Sequence, residues 1–207
     1  MKLIVFGSTG TVGRHLVEQA LQQGHDVTAF SRKPESLDIS HGKLTLAKGD
    51  ALDANDVASA VQGHDAVLVT LGAGRNGNIR AKGTINILRG MEQHGIRRLV
   101  CQTTLGIGKS IHNLNFFWRY LMFGMLLRPA YMDHVVQETA IEESDVDWVI
   151  IRPGAFTDGP ATGSYKHGFS PFEPSLELKV SRADVAGFML RQLVDNTYLR
   201  RTPALSY

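Results

Sequence analysis

The chain has 207 residues, of which 43% are hydrophobic and 20% charged, with a formal net charge of +2. These values are typical of one globular domain over residues 1–207, and so small and scattered a net charge gives no argument for nucleic acid or an anionic membrane as a partner. The one cysteine, Cys101, excludes a disulfide framework, and with no room for a signal peptide before the first strand we expect a cytoplasmic protein.

A glycine-rich turn follows the first predicted strand. The strand is Leu3 to Phe6, the turn runs from Gly7 to Gly13, and a helical pattern extends from Val12 to Leu21. A tight turn between strand and helix lets the backbone approach a pyrophosphate, whose negative charge is stabilised by the helix N-terminus. The pattern predicts dinucleotide binding by Gly7, Thr9, Gly10, Thr11, Val12 and Gly13.

The second predicted strand, Asp26 to Phe30, ends in Ser31, Arg32 and Lys33. In dinucleotide-binding folds an acid at this position accepts a hydrogen bond from the 2′-hydroxyl of NAD, whereas a cation accommodates the 2′-phosphate of NADP. No acid stands here. Arg32 and Lys33 therefore favour NADP(H), and the alternative is that they are solvated loop charges.

The third predicted strand, Lys43 to Lys48, is followed by Gly49, Asp50 and Ala51 and then by a helix from about Asp53 to Val61. At this edge of the sheet the carboxylate of Asp50 can accept from the adenine amino group, with the backbone around Ala51 holding the ring. The alternative is that Asp50 caps the helix. Asp53 is the better cap candidate, which favours the adenine interpretation.

The fourth and fifth predicted strands, Asp65 to Thr70 and Arg98 to Gln102, are separated by a helix from Ile79 to His94. Ligands of open α/β sheets bind in the crevice at the carboxyl ends of the strands. We therefore expect the nicotinamide beside Leu71, Gly72, Thr103 and Thr104. The two threonines are the candidate catalytic residues. The hydroxyl of Thr104 either contacts the carboxamide or substrate, or satisfies loop backbone.

An aromatic segment occupies residues 113–128. It is a nearly continuous apolar run, interrupted by Arg119 and Gly124, and it is too short to span a bilayer, which takes about 20 apolar residues. Its position after the fifth strand suits a lid over the substrate. A dimer face and a contact with a membrane surface remain as alternatives.

A helix from about Tyr131 to Ser144 carries His134, and a strand from Trp148 to Arg152 ends at Pro153. His134 and Pro153 are candidate cofactor contacts, although a histidine at such a place is also explained as a buried, hydrogen-bonded core residue. The glycine- and proline-rich residues 153–180 are expected to cover the substrate side.

Ser181 to Asp184 has the spacing of a helix start, followed by an amphipathic helix from Val185 to Val194 and a possible last strand in residues 202–207. Strands and helices alternate along the chain. This alternation predicts an α/β fold, a single Rossmann-type doubly wound and mainly parallel sheet with helices on both faces.

The tyrosine–lysine pair of many short-chain reductases is missing. Tyr120 and Tyr131 are followed four positions later by Gly124 and Val135. Reduction of an ordinary carbonyl needs such a proton donor, whereas a flat conjugated acceptor delocalises the arriving charge itself. The eight histidines are dispersed, so no metal site is predicted.

The chain resembles the atypical short-chain dehydrogenases/reductases of the NAD(P)H-binding, NmrA-like type, and within them the flavin reductase/biliverdin-IXβ reductase family. The resemblance is carried by residues 7–13, Arg32, residues 49–50, 71–72, 133–134, 158–165 and 188–191. It implies reduction of a flavin, bilin or quinone by NADPH in a shallow, open site.

The resemblance also implies residue roles. Residues 10–13 would hold the pyrophosphate, Arg32 the 2′-phosphate, and Asp50 with Ala51 the adenine. That family has serine at Thr104 and histidine at Ala155, so a hydroxyl is kept and a histidine is lost. Its loop at residues 113–128 is shorter, which puts the family's substrate preference in doubt here.

Three functions follow from these observations. The first is an NADPH-dependent reductase of a flat conjugated acceptor such as a flavin, acting as a monomer or homodimer. The second is a non-catalytic, NmrA-like redox sensor, and the third is an assembly factor that uses the aromatic segment as its interface.

Overall fold

The structure, a computed structural model, describes residues 1–74 and 77–207. Its helices are α1 (Thr11–Gln22), α2 (Ala54–Val61), α3 (Ile79–His94), α4 (Arg128–Glu142) and α5 (Arg182–Arg191). Its strands are β1 (Lys2–Phe6), β2 (Asp26–Ser31), β3 (Leu44–Lys48), β4 (Ala66–Val69), β5 (Arg98–Gln102), β6 (Asp147–Pro153), β7 (Ala155–Thr157), β8 (Lys166–His167), β9 (Lys179–Ser181) and β10 (Ala204–Ser206).

Eight strands form one sheet in the order β3-β2-β1-β4-β5-β6-β10-β8. Every neighbouring pair from β3 to β10 is parallel, and only β8 runs antiparallel, beside β10. The order 3-2-1-4-5-6 is that of the Rossmann fold, in which ligands bind where the strand order reverses. The predicted fold class is confirmed. A separate pair, β7 and β9, forms a small parallel sheet.

The core lies on both faces of the sheet because successive side chains of a strand point to opposite sides. On β1, Leu3 and Val5 pack with α1 and α5, while Ile4 and Phe6 pack with α2 and α3. All four residues of β4 are buried, as expected for a parallel strand covered on both faces. Helices therefore cover both sides, as the alternating sequence predicts.

Three helix starts are set by local side-chain chemistry. Asp53 caps α2 by accepting from the backbone N–H of Asn55 and Asp56, at 2.8 and 3.2 Å. Ser181 caps α5 through the N–H of Asp184 at 3.0 Å, as the spacing of Ser181 and Asp184 predicts, and α5 begins at Arg182. Pro129 stands in the first turn of α4, where it is tolerated, and extends that helix back to Arg128.

Only part of residues 153–180 lies on the substrate side. The N–H groups of Thr162 and Gly163 donate to the carboxylate of Asp184 on α5, at 2.9 and 2.8 Å, and the Tyr165 ring packs edge-on against Phe188. Asp184 accepts bonds from several groups at once, which holds residues 162–165 beside α5. From the same passage, Pro153, Phe156 and Leu178 line the cavity described below.

The aromatic segment folds as a π-helix over Phe117–Leu126. The N–H of Leu127 donates to the carbonyl of Met122, five residues back, at 2.7 Å. Such helices are rare and frequently occur at functional sites. In the described part of the chain, no helix has the length and apolarity needed to cross a membrane.

Candidate active site

One cavity of about 1100 Å³ runs along the carboxyl edge of the parallel strands. It is bordered by the turn before α1, by the ends of β2 to β6, and by the aromatic segment. Its lining contains every residue predicted above for the site except Gly13: Gly7, Thr9, Gly10, Thr11, Val12, Arg32, Lys33, Asp50, Ala51, Leu71, Gly72, Thr103, Thr104, His134 and Pro153.

The turn before α1 is built for close approach. Gly7 has φ +82°, and a Cβ there would lie 2.6 Å from the Thr70 carbonyl oxygen. Gly13 is buried behind the turn, where a Cβ would lie 2.1 Å from the Gly7 carbonyl oxygen. Gly13 therefore shapes the turn through helix packing, a role distinct from lining the cavity.

The N-terminus of α1 suits an anion. Its N-cap residue is Gly10, which has no side chain to cap the first turn, and that turn contains no acidic residue. By contrast, α2 and α5 have side-chain caps and an acid in the first turn. Free N–H groups and the helix dipole favour a pyrophosphate at α1, so the residues present fit a dinucleotide.

The cationic end of the cavity is formed by Arg32 and Lys33. Both side chains are exposed, and within the described ranges neither has an ion-pair partner within 4.0 Å. Across from them, Asp50 accepts from the N–H of Leu52 at 3.0 Å, while Asp53 provides the α2 cap. Arg32 and Lys33 are therefore available to bind the 2′-phosphate of NADP(H).

The two threonines after β5 have different environments. Thr103 is 1% exposed as a residue, and its hydroxyl donates to Glu138 Oε1 over 2.6 Å. Thr104 is partly exposed, and among the described residues its hydroxyl makes only a long bond, 3.3 Å, to the Leu105 carbonyl. Thr104 therefore has a hydroxyl available to a ligand, and Thr103 is anchored to the core.

A buried ion pair supports this strand end. Arg152 on β6 donates through Nε to Glu138 Oε1 over 3.1 Å, and its second nitrogen contacts Oε2. Both side chains are almost fully buried. Such a pair is satisfied only when both partners are present, so it fixes α4 against β5 and β6.

His134 faces the cavity from α4. Its Nδ1 lies 2.9 Å from Gln137 Oε1, and Gln137 in turn donates to the Thr84 hydroxyl at 2.9 Å. Burial, followed by the nearby Arg80 charge, lowers the pKa of His134 to about 4. The imidazole is therefore neutral at pH 7. Because the amide oxygen only accepts, Nδ1 carries the proton and Nε2 is an acceptor.

Asp133 joins α4 to the start of α3. Its carboxylate accepts from the backbone N–H of Arg80 and Ala81, at 3.1 and 3.0 Å, and pairs with the Arg80 guanidinium at 3.4 Å. A carboxylate at a helix N-terminus is favoured by the dipole. Arg80 also lines the cavity and donates to the Gly74 carbonyl at 3.0 Å.

Most of this buried polar layer on α4 was not predicted from the sequence. Four polar residues of α4 are buried, namely Asp133, His134, Gln137 and Glu138. Their spacing of one, four and five residues places them on one helix face. Polar residues at helical spacing on a face that must pack against a sheet are a usable signal, because buried polar groups need partners.

The other end of the cavity is apolar. Leu114, Trp118, Phe123 and Leu127 from the aromatic segment meet Phe156 and Leu178 there. None of these side chains carries an ionisable group. This end therefore suits a flat, apolar ligand.

The sequence matches a known family over nearly its whole length. The family is described as NAD(P)H-binding, and the match covers residues 7–196. The chain belongs to this family. The resemblance inferred from the glycine turn and the end of β2 is thereby confirmed, together with a nicotinamide dinucleotide as cofactor.

Relatives of this family member include both enzymes and uncharacterised proteins. A 3-beta-hydroxysteroid dehydrogenase of Mycolicibacterium neoaurum is 34% identical over 113 residues, which are 48% of this chain and 31% of that protein. An uncharacterised chloroplastic protein of Arabidopsis thaliana is 25% identical over 93% of this chain and 72% of its own length. The chain thus spans about a third of the first of these curated relatives.

Solved structures share the fold. ChuY of Escherichia coli O157:H7, described as an anaerobillin reductase, has a TM-score of 0.80 and 25% identity, covering 99% of this chain and 96% of that one. A short-chain dehydrogenase/reductase of Veillonella parvula in complex with NADP has a TM-score of 0.83 at 17% identity, covering 100% and 94%. Both agree with the Rossmann-type topology.

Proposed function

We propose that this protein is an NADPH-dependent reductase of a flat, conjugated acceptor, such as a flavin, a bilin or a quinone. The observation that carries the proposal is the continuity of the cavity. It extends from the unpaired cations Arg32 and Lys33, past the α1 turn and Thr104, to an apolar end at Trp118 and Phe156.

The cofactor end favours the phosphorylated coenzyme. A 2′-phosphate beside Arg32 gains charge-assisted hydrogen bonds, which contribute about 1.5–3 kcal/mol each. The α1 N-terminus holds the pyrophosphate, and Asp50 with Ala51 borders the adenine. The Nε2 acceptor of His134 is suited to a ribose hydroxyl. NADPH supplies a hydride when bound, and the other residues position it.

The acceptor end explains why no tyrosine–lysine pair is needed. A conjugated ring takes a hydride and delocalises the negative charge, and one proton from solvent completes its two-electron reduction. Thr104 is placed to hydrogen-bond the carboxamide or a ring carbonyl. Tyr131, the tyrosine of α4, donates its hydroxyl proton to the Gly106 carbonyl at 3.2 Å. Its hydroxyl is therefore already engaged in a structural hydrogen bond.

Purified protein mixed with NADPH and FMN, riboflavin, a bilin or menadione is expected to oxidise NADPH, followed by its absorbance. Thr104→Ser should keep most of the rate, and Thr104→Val should lower kcat about tenfold through loss of one hydrogen bond. Absence of turnover with all of these acceptors would remove the reductase proposal.

The rival function is a redox sensor that binds NADP(H) without turnover. The described residues that line the apolar end include no general acid, which agrees equally well with a sensor that does not catalyse a reaction. It predicts similar affinity for NADP⁺ and NADPH and a stable protein partner. The apolar lining of the cavity at Trp118 and Phe156 favours the reductase, because it offers a contact surface to a flat acceptor.

A further inference from the structure

The outer face of the aromatic segment is an exposed apolar surface. Phe116 is 77% exposed and Met125 is 73% exposed. The other large side chains of this surface are Phe117, Tyr120, Leu121 and Leu126, all at least 43% exposed. Six large exposed side chains of this kind within residues 116–126 indicate an interaction site.

The charged residues in this part of the sequence are basic. Residues 103–132 contain Lys109, Arg119 and Arg128 and no Asp or Glu, whereas the whole chain has 22 basic and 20 acidic residues. One acidic residue, Glu173, contacts the segment. Its backbone N–H donates to Asn113 Oδ1, and its carboxylate pairs with Lys166 at 3.8 Å. The surface is thus apolar, aromatic and cationic.

We propose that the exposed face of residues 116–126 docks on the surface of an anionic lipid bilayer. Interfacial helices combine large apolar and aromatic side chains with Lys or Arg that meet acidic headgroups. Tyr120, which is 53% exposed on this face, belongs to a residue type that is enriched at membrane–water interfaces.

A second copy of this chain suits the surface poorly. A two-fold interface places the same patch on both subunits. Arg119 and Arg128 would then face a patch that again carries cations and no acid, and like charges across an interface are costly. Anionic headgroups complement the same surface.

The docking face and the apolar end of the cavity belong to one segment. Trp118 and Phe123 line the cavity, while Phe117 and Met125 point outward. This part of the inference rests on the proposed reductase function: the acceptor is a lipid-dissolved, flat molecule of the quinone class, which enters from the bilayer. Hydride from NADPH and one proton from water convert the quinone to the hydroquinone.

Sedimentation with vesicles tests docking directly. The full chain should pellet with vesicles containing phosphatidylglycerol, and high salt should release it because charges are screened. A triple variant, Phe116→Ser with Phe117→Ser and Met125→Ser, should lose at least tenfold in vesicle affinity. Arg128→Glu should also weaken it. The control Val194→Ser, equally exposed but outside the segment, should bind as the parent does.

Several results would overturn the inference. One is that the full chain does not pellet with phosphatidylglycerol vesicles, and another is that it pellets equally with pure phosphatidylcholine. A third is that the chain binds no vesicles but forms a dimer in solution, and that the triple substitution dissociates this dimer. Menadione in the absence of vesicles reports on the reductase function alone. The triple variant should keep that rate and lose reduction of a long-chain quinone embedded in the vesicles. Equal loss of both rates would contradict the docking role.

Discussion

Glu138 on α4 and Arg152 on β6 form a buried ion pair behind the end of β5, with Arg152 Nε donating to Glu138 Oε1 at 3.1 Å. The same carboxylate accepts from the Thr103 hydroxyl at 2.6 Å. One carboxylate therefore connects a helix to the ends of two strands. Because Thr104 directly follows Thr103, this connection also helps to fix the position of Thr104.

Removing the carboxylate should be strongly destabilising. Glu138→Ala leaves Arg152 buried without a counter-charge, and we expect the free energy of unfolding to fall by about 3–5 kcal/mol. Urea denaturation measures it. Glu142→Ala, an exposed residue of the same helix, should change stability by less than about 0.5 kcal/mol. Similar values for the two variants would contradict the buried pair.

His134 should make stability depend on pH. Its pKa is about 4 in the folded protein, against 6.5 as the ordinary value. The unfolded chain therefore binds the proton more readily, and stability falls as pH decreases from about 6.5 to 4, by up to about 3 kcal/mol. His134→Gln should flatten this part of the pH profile. His41→Gln, an exposed control, should leave it intact; a parental slope in His134→Gln would refute the assignment.

Arg32 should decide between the coenzymes. Arg32→Ala removes charge-assisted hydrogen bonds to the 2′-phosphate, so the Kd for NADPH should rise at least tenfold, while that for NADH stays within about twofold. Isothermal titration calorimetry measures both. Arg89→Ala, an exposed arginine on α3, serves as the control. Parallel weakening of both coenzymes in Arg32→Ala would argue against phosphate recognition.

The packing of α1 against the turn should require glycine at position 13. A Cβ there would lie 2.1 Å from the Gly7 carbonyl oxygen, a backbone atom, so Gly13→Ala must displace α1 from the turn. We expect a loss of about 1–3 kcal/mol in thermal or urea unfolding. Gly42→Ala is the matched control, since nothing lies within 4 Å of a Cβ there. An unchanged Gly13→Ala protein would exclude the tight packing.

Short-range sequence patterns were sufficient to predict the parallel sheet and the edge at which a dinucleotide is expected. The alternation of apolar strands with helical periodicity predicts the parallel sheet, and the turn from Gly7 to Gly13 with Arg32 at the end of β2 predicts the dinucleotide edge. These features depend on residues close together in the sequence. The ends of parallel strands meet at one edge, so their neighbours could be assigned to one site without coordinates.

Only the tertiary structure decided which polar groups are free to act. Thr103 and Thr104 are adjacent, chemically alike and both in the cavity lining, yet the Thr103 hydroxyl is bound to Glu138 and the Thr104 hydroxyl makes only a long bond to the Leu105 carbonyl among the described residues. Asp133 reaches Arg80 across 53 positions of sequence, and Asp184 accepts from Thr162 and Gly163 across 22 and 21 positions. Such pairings join elements distant along the chain, and periodicity carries no information about them because each depends on how helices pack on the finished sheet.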